Sequence, residues 1–362
     1  HRLALAMSDG GAERELMMPP ATAGSSVPRR SQYVALISVP LLWGTFTPAL
    51  KLLIDHRHAP PVMLTNLASH VIGAATLAAL WVCEAIPRRA CMPIDESATD
   101  RRLTTSRARL ASIELGVYLF FGQLLQLIGL KGTSATTNAI LVQSSVVFVP
   151  LFERGAPLHE ASLKMQLQQT APSLLALSGI AMITVVPSLL EASAAGNGEA
   201  PGETEESPLG IGCSIGAALC YAMHTVRLGA YCDVDATIQA TGQVATNAVL
   251  DVLGLILCMP LHVGGNVWRW RRRANDAALQ RLAAAAAWNG VMIVGATTWS
   301  MSYAQRHIRA STAALAYAME PLFACIFAAI FLHESIGLLQ ICGGLLVVSA
   351  NIMAGLSSDG DA

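Results

Sequence analysis

Residues 310–353 decide the fold, and they read ASTAALAYAMEPLFACIFAAIFLHESIGLLQICGGLLVVSANIM. The stretch consists of two apolar runs of about 20 residues, each long enough to cross a hydrocarbon core of about 30 Å as an α-helix. Lipid cannot hydrogen-bond to a backbone, and these runs are continuous rather than alternating, which favours helices over the strands of a membrane barrel. The stretch therefore predicts two consecutive transmembrane helices.

The composition of the whole chain is typical of a membrane protein. Of its 362 residues, 53% are hydrophobic and 13% are charged, against about 25% charged residues in soluble domains, and the mean hydropathy is +0.50. The net charge of −1 gives no reason to expect a nucleic-acid partner. The eight cysteines form no C-x-x-C pair and are interpreted as packing residues. Neither an H-E-x-x-H zinc motif nor a phosphate-binding loop occurs, so we expect no metal or other cofactor.

Ten apolar segments have the length of a membrane-spanning helix. They lie at 33–54, 62–86, 113–130, 134–152, 171–190, 209–227, 236–261, 283–304, 311–331 and 338–356. A basic stretch, 87–110, is expected to connect the second segment to the third. The sequence thus predicts an all-α membrane protein with ten transmembrane helices.

An acidic, glycine-rich linker divides these segments into five and five. The predicted organisation is a flexible tail (1–32), a first repeat (33–190), the linker (191–208), a second repeat (209–356) and a short tail (357–362). Because five is an odd number, the second copy must enter the membrane from the opposite side, which predicts two inverted five-helix repeats.

Three matches support an internal repeat. An offset of 176 residues superposes Lys51 on Arg227 and the stretch 134–137 on 310–313. The tripeptide LHE recurs at 158–160 and 332–334, with an offset of 174.

The distribution of basic residues predicts the orientation. With the N-terminus in the cytosol, 15 of the 23 lysines and arginines lie on the inner side, although the arginines of VWRWRRR (267–273) fall outside. Both termini are therefore expected in the cytosol, with the protein in the plasma membrane or an organelle envelope such as that of a plastid. The sequence leaves open whether the chain forms a homodimer.

Three stretches resemble the EamA domains of the drug/metabolite transporter superfamily. They are LLWGTFTPALK (41–51), GLKGTSATTNAILVQSSVVFVPLFE (129–153) and residues 310–353. The resemblance covers the chain from about Tyr33 to Gly355 as two copies. It implies ten helices, cytosolic termini and transport of small metabolites without ATP hydrolysis.

The chain also departs from this family. Members often carry an arginine early in the second helix, where this sequence has Asn66 and His70 instead. Relatives that carry phosphorylated sugars tend to place basic residues in their late helices, and the ninth and tenth segments contain none. These departures argue against a phosphorylated substrate.

Glu320 is the candidate for proton coupling. It lies about ten residues from either end of its segment, and an acidic residue at that depth costs about 3 kcal/mol and nearly always faces the bundle interior. Pro321 cannot donate to the carbonyl of Tyr317, so that a phenol, a carboxylate and a free carbonyl are expected to converge. The offset maps Glu320 to Ser144, so the first copy lacks the acid. The alternative is a carboxyl group that only holds helices together.

Polar and aromatic residues of other segments are predicted to line the translocation path. They are Trp43, Asn66, Gln123, Gln126, Asn138, Gln143, Gln239, Gln243, Asn247, Trp299, Tyr303 and Tyr317. The amides at 239, 243 and 247, followed by Asp251, share one helical face. That stripe is either a cavity wall or a ladder of interhelical hydrogen bonds. The Gly343-Gly344 pair is expected to permit close helix packing.

These observations predict a secondary active transporter that works by alternating access. The path is lined by neutral polar groups and one or two carboxylates, which suits amino-acid-like, amine-like or nucleobase-like solutes. Protons are the candidate coupling ion, and the lipid bilayer is the other partner. An intramembrane enzyme using Glu320 and His70, and a scaffold or receptor that transports nothing, are the alternatives.

Overall fold

The computed structural model describes residues 29–53, 62–91, 98–133, 135–153, 170–183, 186, 207–258, 270–272, 274–332 and 337–359. In this part of the chain the secondary structure is helical and includes no strand, in agreement with the predicted all-α class. Most of the predicted linker and of the two tails lies outside the described residues.

The described residues of the first half include six helices. They are α1 (Arg30–Leu53), α2 (Val62–Cys91), α3 (Ala98–Gly132), α4 (Ala135–Gln143), α5 (Ser145–Glu153) and α6 (Thr170–Ile183). The basic stretch 87–110 is not the connection that the sequence suggested, because α2 continues to Cys91 and α3 begins at Ala98.

The described residues of the second half include seven α-helices and one π-helix, besides the helical residues 270–272. They are α7 (Pro208–Ala230), α8 (Ala236–Cys258), α9 (Asp276–Trp288), the π-helix (Asn289–Ala296), α10 (Thr297–Ala304), α11 (Ala310–Tyr317), α12 (Glu320–Leu332) and α13 (Leu338–Asp359). Helix α9 begins seven residues before the predicted segment 283–304, because the Asn275 side chain accepts a hydrogen bond from Ala278 N (2.9 Å) and caps it.

Five helical stretches of the described chain are long and apolar enough to cross a membrane. They are Leu64–Cys83, Ser106–Gln126, Pro208–Ala230, Asp276–Ala304 and Ala310–Phe331. Ile140–Glu153, Thr170–Ile183 and Ile341–Met353 are apolar but shorter. The structure therefore supports an integral, multi-pass membrane protein, whereas the full arrangement of ten spanning helices stays a prediction.

The polarity of the bundle is inverted relative to a soluble protein. Large apolar side chains face outward, including Leu338 (75% exposed) and Leu209 (71%), whereas the polar side chains of Ser214 and Gln243 are fully buried. Such a surface is suited to lipid, which is as apolar as leucine and provides no partner for polar groups.

Helices from the two halves pack against each other in matched pairs. Helix α3 contacts α7 and α8, and its counterpart under the sequence offset, the continuous helix from α9 to α10, contacts α1 and α2. Helices α4 and α5 contact α7, and their counterparts α11 and α12 contact α1. This pairing is what an internal duplication produces, and the inverted orientation of the two copies stays a prediction.

Three glycine pairs bring backbones of the two halves together. A Cβ atom on Gly179 would lie 2.5 Å from the carbonyl oxygen of Gly343, and one on Gly210 would lie 2.7 Å from that of Gly132. A Cβ atom on Gly73 would lie 2.9 Å from the carbonyl oxygen of Gly290. Real Cβ atoms do not come so close to backbone atoms, so glycine is required at 73, 179 and 210, and also at 343, where a Cβ atom would lie 2.5 Å from the Gly179 carbonyl oxygen. The expected close packing at Gly343 is confirmed.

Candidate functional site

Two helix breaks meet inside the bundle. The segment predicted at 311–331 is not one helix, because α11 ends at Tyr317 and α12 begins at Glu320. Pro321 explains the break, since it has no N–H to continue α11 but fits the first turn of a new helix. The segment predicted at 134–152 is broken as well: α4 ends at Gln143, and Ser144 separates it from α5. Both predicted segments are therefore pairs of short helices.

Glu320 lies at the first residue of α12, where the helix dipole favours a negative charge. It is partly buried, and its Oε2 accepts a long hydrogen bond of 3.5 Å from Gln143 Nε2. Gln143 is itself the last residue of α4, so the contact joins the two helix breaks. Among the described residues, no arginine, lysine or histidine forms an ion pair with Glu320. This carboxyl group is thus held only by a weak, neutral contact.

A separate group of hydrogen bonds lies close to this contact and is not hydrogen-bonded to it. Tyr221, on which the Glu320 carboxylate acts electrostatically, donates its hydroxyl to Gln126 Oε1 at 2.8 Å. Asn138 Nδ2 donates to the Gln126 carbonyl at 3.2 Å and to Ser214 Oγ at 2.8 Å. We call the six residues the Glu320 cluster: Gln126, Asn138, Gln143, Ser214, Tyr221 and Glu320. Four of them belong to the predicted path or coupling set.

The predicted stripe on α8 is buried and ties helices together. Gln243 Oε1 lies 2.9 Å from His224 Nε2, and its Nε2 donates to Ser302 Oγ at 3.2 Å. Gln239 Nε2 donates to the Tyr231 carbonyl at 3.4 Å. These bonds match the ladder interpretation of the stripe. Asn247 is also buried and is described separately below.

The aromatic residues of the predicted path lie away from Glu320. Tyr317 accepts a hydrogen bond from Gln305 Nε2 at 3.0 Å, and its ring packs against Trp43 with centroids 5.5 Å apart. The expected convergence of the Tyr317 phenol with Glu320 is therefore not seen. Trp299 and Tyr303 stack on each other at 5.1 Å. Asn66 and Gln123 are partly buried and do not join the hydrogen bonds described here.

Three polar residues of α7 form contacts that were not predicted from the sequence. Ser214, Tyr221 and His224 contact the first half of the chain or α8, and none of them was predicted. Their spacing of seven and three residues places them on one helical face, a signal that periodicity could have revealed.

A second group of contacts lies near the start of α8, and we call it the ion-pair end. Its members are Arg107, Glu114, Arg227, Tyr231 and Asp233. Arg227 donates to the two carboxylate oxygens of Glu114 at 2.5 and 2.9 Å, and the Tyr231 hydroxyl also donates to Glu114. Arg107 pairs with Asp233 at 2.5 Å. Every one of these ion pairs joins the first half to the second.

Tyr231, just beyond the end of α7, has an altered ionisation. Burial and the hydrogen bond to the Glu114 carboxylate raise the pKa of Tyr231 to about 12, because the anionic phenolate would face another negative charge. The hydroxyl therefore remains a hydrogen-bond donor to Glu114 across the physiological range of pH.

Comparison with known proteins identifies a family similar to the second half. Residues 208–356 match the EamA-like transporter family. No functionally curated protein matches the chain. The match and the apolar helices support the class of membrane transporters, and the predicted second EamA copy stays a prediction.

A solved structure resembles nearly the whole chain. This crystal structure of a protein superposes with a TM-score of 0.64 at 19% sequence identity and covers 91% of this chain and 97% of its own. At that identity the likeness concerns the fold alone, and it extends well beyond the stretch that matches the family.

Proposed function

We propose that this protein is a secondary active transporter of small metabolites that works by alternating access. The observation that supports this most is the Glu320 cluster: one carboxyl group lies where two helix breaks of an apolar bundle meet, and its hydrogen bond to Gln143 joins the second half to the first. Broken helices at the interface of two repeats are the usual location of substrate sites in such transporters. The match to the EamA-like transporter family points in the same direction.

The chemistry of the cluster favours a solute without a net negative charge. Its groups are amides, hydroxyls and one carboxylate, and it contains no lysine, arginine or histidine. A phosphate or another anion would meet the Glu320 charge without a cationic partner. We therefore propose amino acids, amines or nucleobases as the substrate class, because each offers N–H donors to these oxygen acceptors.

Glu320 is proposed to couple transport to protons. A carboxyl group that lies in an apolar bundle without a cationic partner can change between a neutral and a charged form as its surroundings change. Alternating access would expose it to the two sides of the membrane in turn. The proposal includes ten helices in two inverted repeats, with both termini in the cytosol.

The function can be tested by uptake into sealed proteoliposomes. The purified protein is offered a panel of labelled amino acids, amines and nucleobases, with and without a pH gradient, and empty liposomes provide the background. We expect at least one solute to enter above background and to accumulate only with the gradient. Entry without accumulation would contradict proton coupling, and a panel that stays at background would contradict the substrate class and support a non-transporting scaffold.

A further inference from the structure

A second polar layer lies between α2, α8 and the π-helix, apart from the Glu320 cluster. We call it the Asp251 layer, and its members are Ser69, His70, Asn247, Asp251 and Asn289. The side chains are deeply buried: Asn247 is 1% exposed, His70 4% and Asn289 7%. Asp251 is the acidic residue of the layer, and its side chain is 12% exposed.

Short contacts join the three helices at this layer. His70 Nδ1 of α2 lies 2.8 Å from Asp251 Oδ2 of α8. Asn289 Nδ2 of the π-helix donates to Ser69 Oγ at 3.0 Å, again on α2. Asn247 precedes Asp251 by one helical turn and so shares its face. An apolar cluster that includes Leu77, Val244 and Val294 lies about one to two turns away on the same three helices.

Buried acceptor atoms without a donor are concentrated here. Four polar atoms of the layer have no hydrogen-bond partner in the described part of the chain: His70 Nδ1, Asn247 Oδ1, Asp251 Oδ2 and Asn289 Oδ1. His70 Nδ1 and Asp251 Oδ2 face each other at 2.8 Å and form an ion pair when the ring is protonated, so the atoms with no polar neighbour of this kind are Asn247 Oδ1 and Asn289 Oδ1. Three of the four are oxygens, on Asn247, Asp251 and Asn289. Such atoms are rarely left without a partner in native proteins.

Apart from His70, no basic side chain of the described residues forms an ion pair with Asp251. Neither α8 nor the π-helix contains lysine or arginine. On α2 the first arginine, Arg88, follows His70 by 18 residues, which is about 27 Å along the helix. On α9, the exposed Arg281 precedes Asn289 by eight residues, or about 12 Å, and Asp276 lies farther still. The carboxylate therefore has only the His70 ring and neutral amides as neighbours.

The backbone of the π-helix is also unusual at this point. The π-helix begins at Asn289, and Gly290 lets it approach α2 so closely that a Cβ atom there would lie 2.7 Å from the Ser69 carbonyl oxygen. Widened turns of this kind occur frequently at functional sites. The start of the π-helix, with Asn289 and Gly290, therefore lies directly against the turn of α2 that contains Ser69.

We propose that the Asp251 layer binds one alkali-metal cation. Its ligands are the Asp251 carboxylate and the amide oxygens of Asn247 and Asn289, which are hard oxygen donors suited to such ions. A single carboxylate balances one positive charge, which favours a monovalent ion over calcium. The bound ion would hold α2 of the first half to α8 and the π-helix of the second. The proposed site is separate from the ion-pair end. Asp235, just before α8 and two residues after Asp233, lies 16 residues before Asp251, which is about 24 Å along the helix.

The site is tested on the purified full-length protein in detergent, without any transport assay. Binding of ²²Na⁺ is measured at equilibrium, and the midpoint of thermal unfolding is followed while NaCl replaces choline chloride at constant ionic strength and pH. KCl and LiCl serve as further probes. The variants are Asp251→Asn, which removes the charge and keeps the shape, and Asp233→Asn, the matched control at the ion-pair end.

We expect saturable binding of one sodium ion per chain and an unfolding midpoint that rises by several degrees as NaCl increases, because an ion that binds only the native state stabilises it. Asp251→Asn should weaken the binding about tenfold or more, and Asp233→Asn should leave it unchanged. The proposal is overturned if wild-type protein binds no alkali cation, or if Asp251→Asn binds as well as wild type. A midpoint that depends on pH but not on any of the three cations would assign the layer to a proton instead and also overturn it. None of these outcomes depends on whether the protein transports a metabolite.

Discussion

Glu114 and Glu320 are two carboxylates in the same apolar bundle, and their partners differ. Glu114 accepts hydrogen bonds from two guanidinium nitrogens of Arg227, Nε and Nη2, and from the Tyr231 hydroxyl. Glu320 has one long hydrogen bond, from the neutral amide of Gln143. A carboxylate that is fully paired holds helices together, whereas one without a cation remains able to bind a proton or a cationic group of a solute. The comparison thus distinguishes an acid with a full set of partners from the acid that we propose to be functional.

Replacing each acid by its amide tests this separation most directly. We expect Glu320→Gln to reduce accumulation driven by a pH gradient at least about tenfold, because the amide cannot carry a proton between the two sides. Glu114→Gln should retain accumulation per folded molecule. The measurement is initial uptake and plateau level in proteoliposomes, normalised to protein that elutes as a single folded species. Equal losses in both variants would contradict the comparison.

Gln143 provides a finer test of the weak contact. Gln143→Leu removes the one hydrogen bond to Glu320 and should lower the uptake rate about three- to tenfold, because the carboxyl group loses the neighbour that orients it. Gln123→Leu, on a neighbouring helix and outside the Glu320 cluster, is the matched control and should stay within about twofold of wild type. If both leucine variants behave alike, the contact has no special role.

Substitutions at the ion-pair end should lower the stability of the protein, whereas those at the Glu320 cluster should lower transport. Arg227→Met leaves Glu114 without its cation, and the two side chains are only 18% and 22% exposed, so we expect a loss of about 2 kcal/mol in the free energy of unfolding. Arg107→Met breaks a pair that is 45% and 51% exposed and should cost less than about 1 kcal/mol. Thermal unfolding of both variants in the same detergent measures the difference, and similar midpoints would show that burial does not determine the strength of these pairs.

The smallest effect concerns Tyr231 at high pH. Its pKa is raised from the ordinary 10.0 to about 12 in the native protein, so the native state holds the proton more tightly than the unfolded state does. The stability gained in this way is fully present below pH 10 and is lost as the pH rises to about 12. Tyr231→Phe should therefore flatten the fall of the unfolding midpoint over this range. An unchanged slope would mean that the phenol does not interact with Glu114.

The helices and their apolar exterior were largely predictable because the bilayer imposes both. The predicted segment 236–261 differs from α8 by three residues at one end, and the segment 338–356 agrees similarly with α13. The two helix breaks were harder to predict. Pro321 signals one of them, but Ser144 has no feature that distinguishes it from a residue inside a helix.

The site was predictable only where a residue contradicted its surroundings. Glu320 stands out because an acid is costly in an apolar run, whereas Tyr221 does not, because tyrosine is common in packed helices. Tyr317 was expected beside Glu320 on the assumption of a continuous helix. Since α11 ends at Tyr317, the relation between positions three residues apart does not hold across the break, and its hydroxyl bonds to Gln305 instead. The ion pairs depend on contacts between distant segments, which a single sequence does not reveal.

The glycine pairs have a consequence for how fast the two halves could rearrange. At Gly132 and Gly210, and at Gly179 and Gly343, the two backbones approach each other directly, and side chains such as Val347 and Ile183 pack beside the second contact. Two helices that interlock through large side chains must separate before they can shift, which raises the barrier to movement. Helices whose backbones touch at glycine can shift along each other while they remain in contact, which keeps this barrier low. We therefore expect that a single added methyl group at one of these contacts slows the movement more than it weakens the fold.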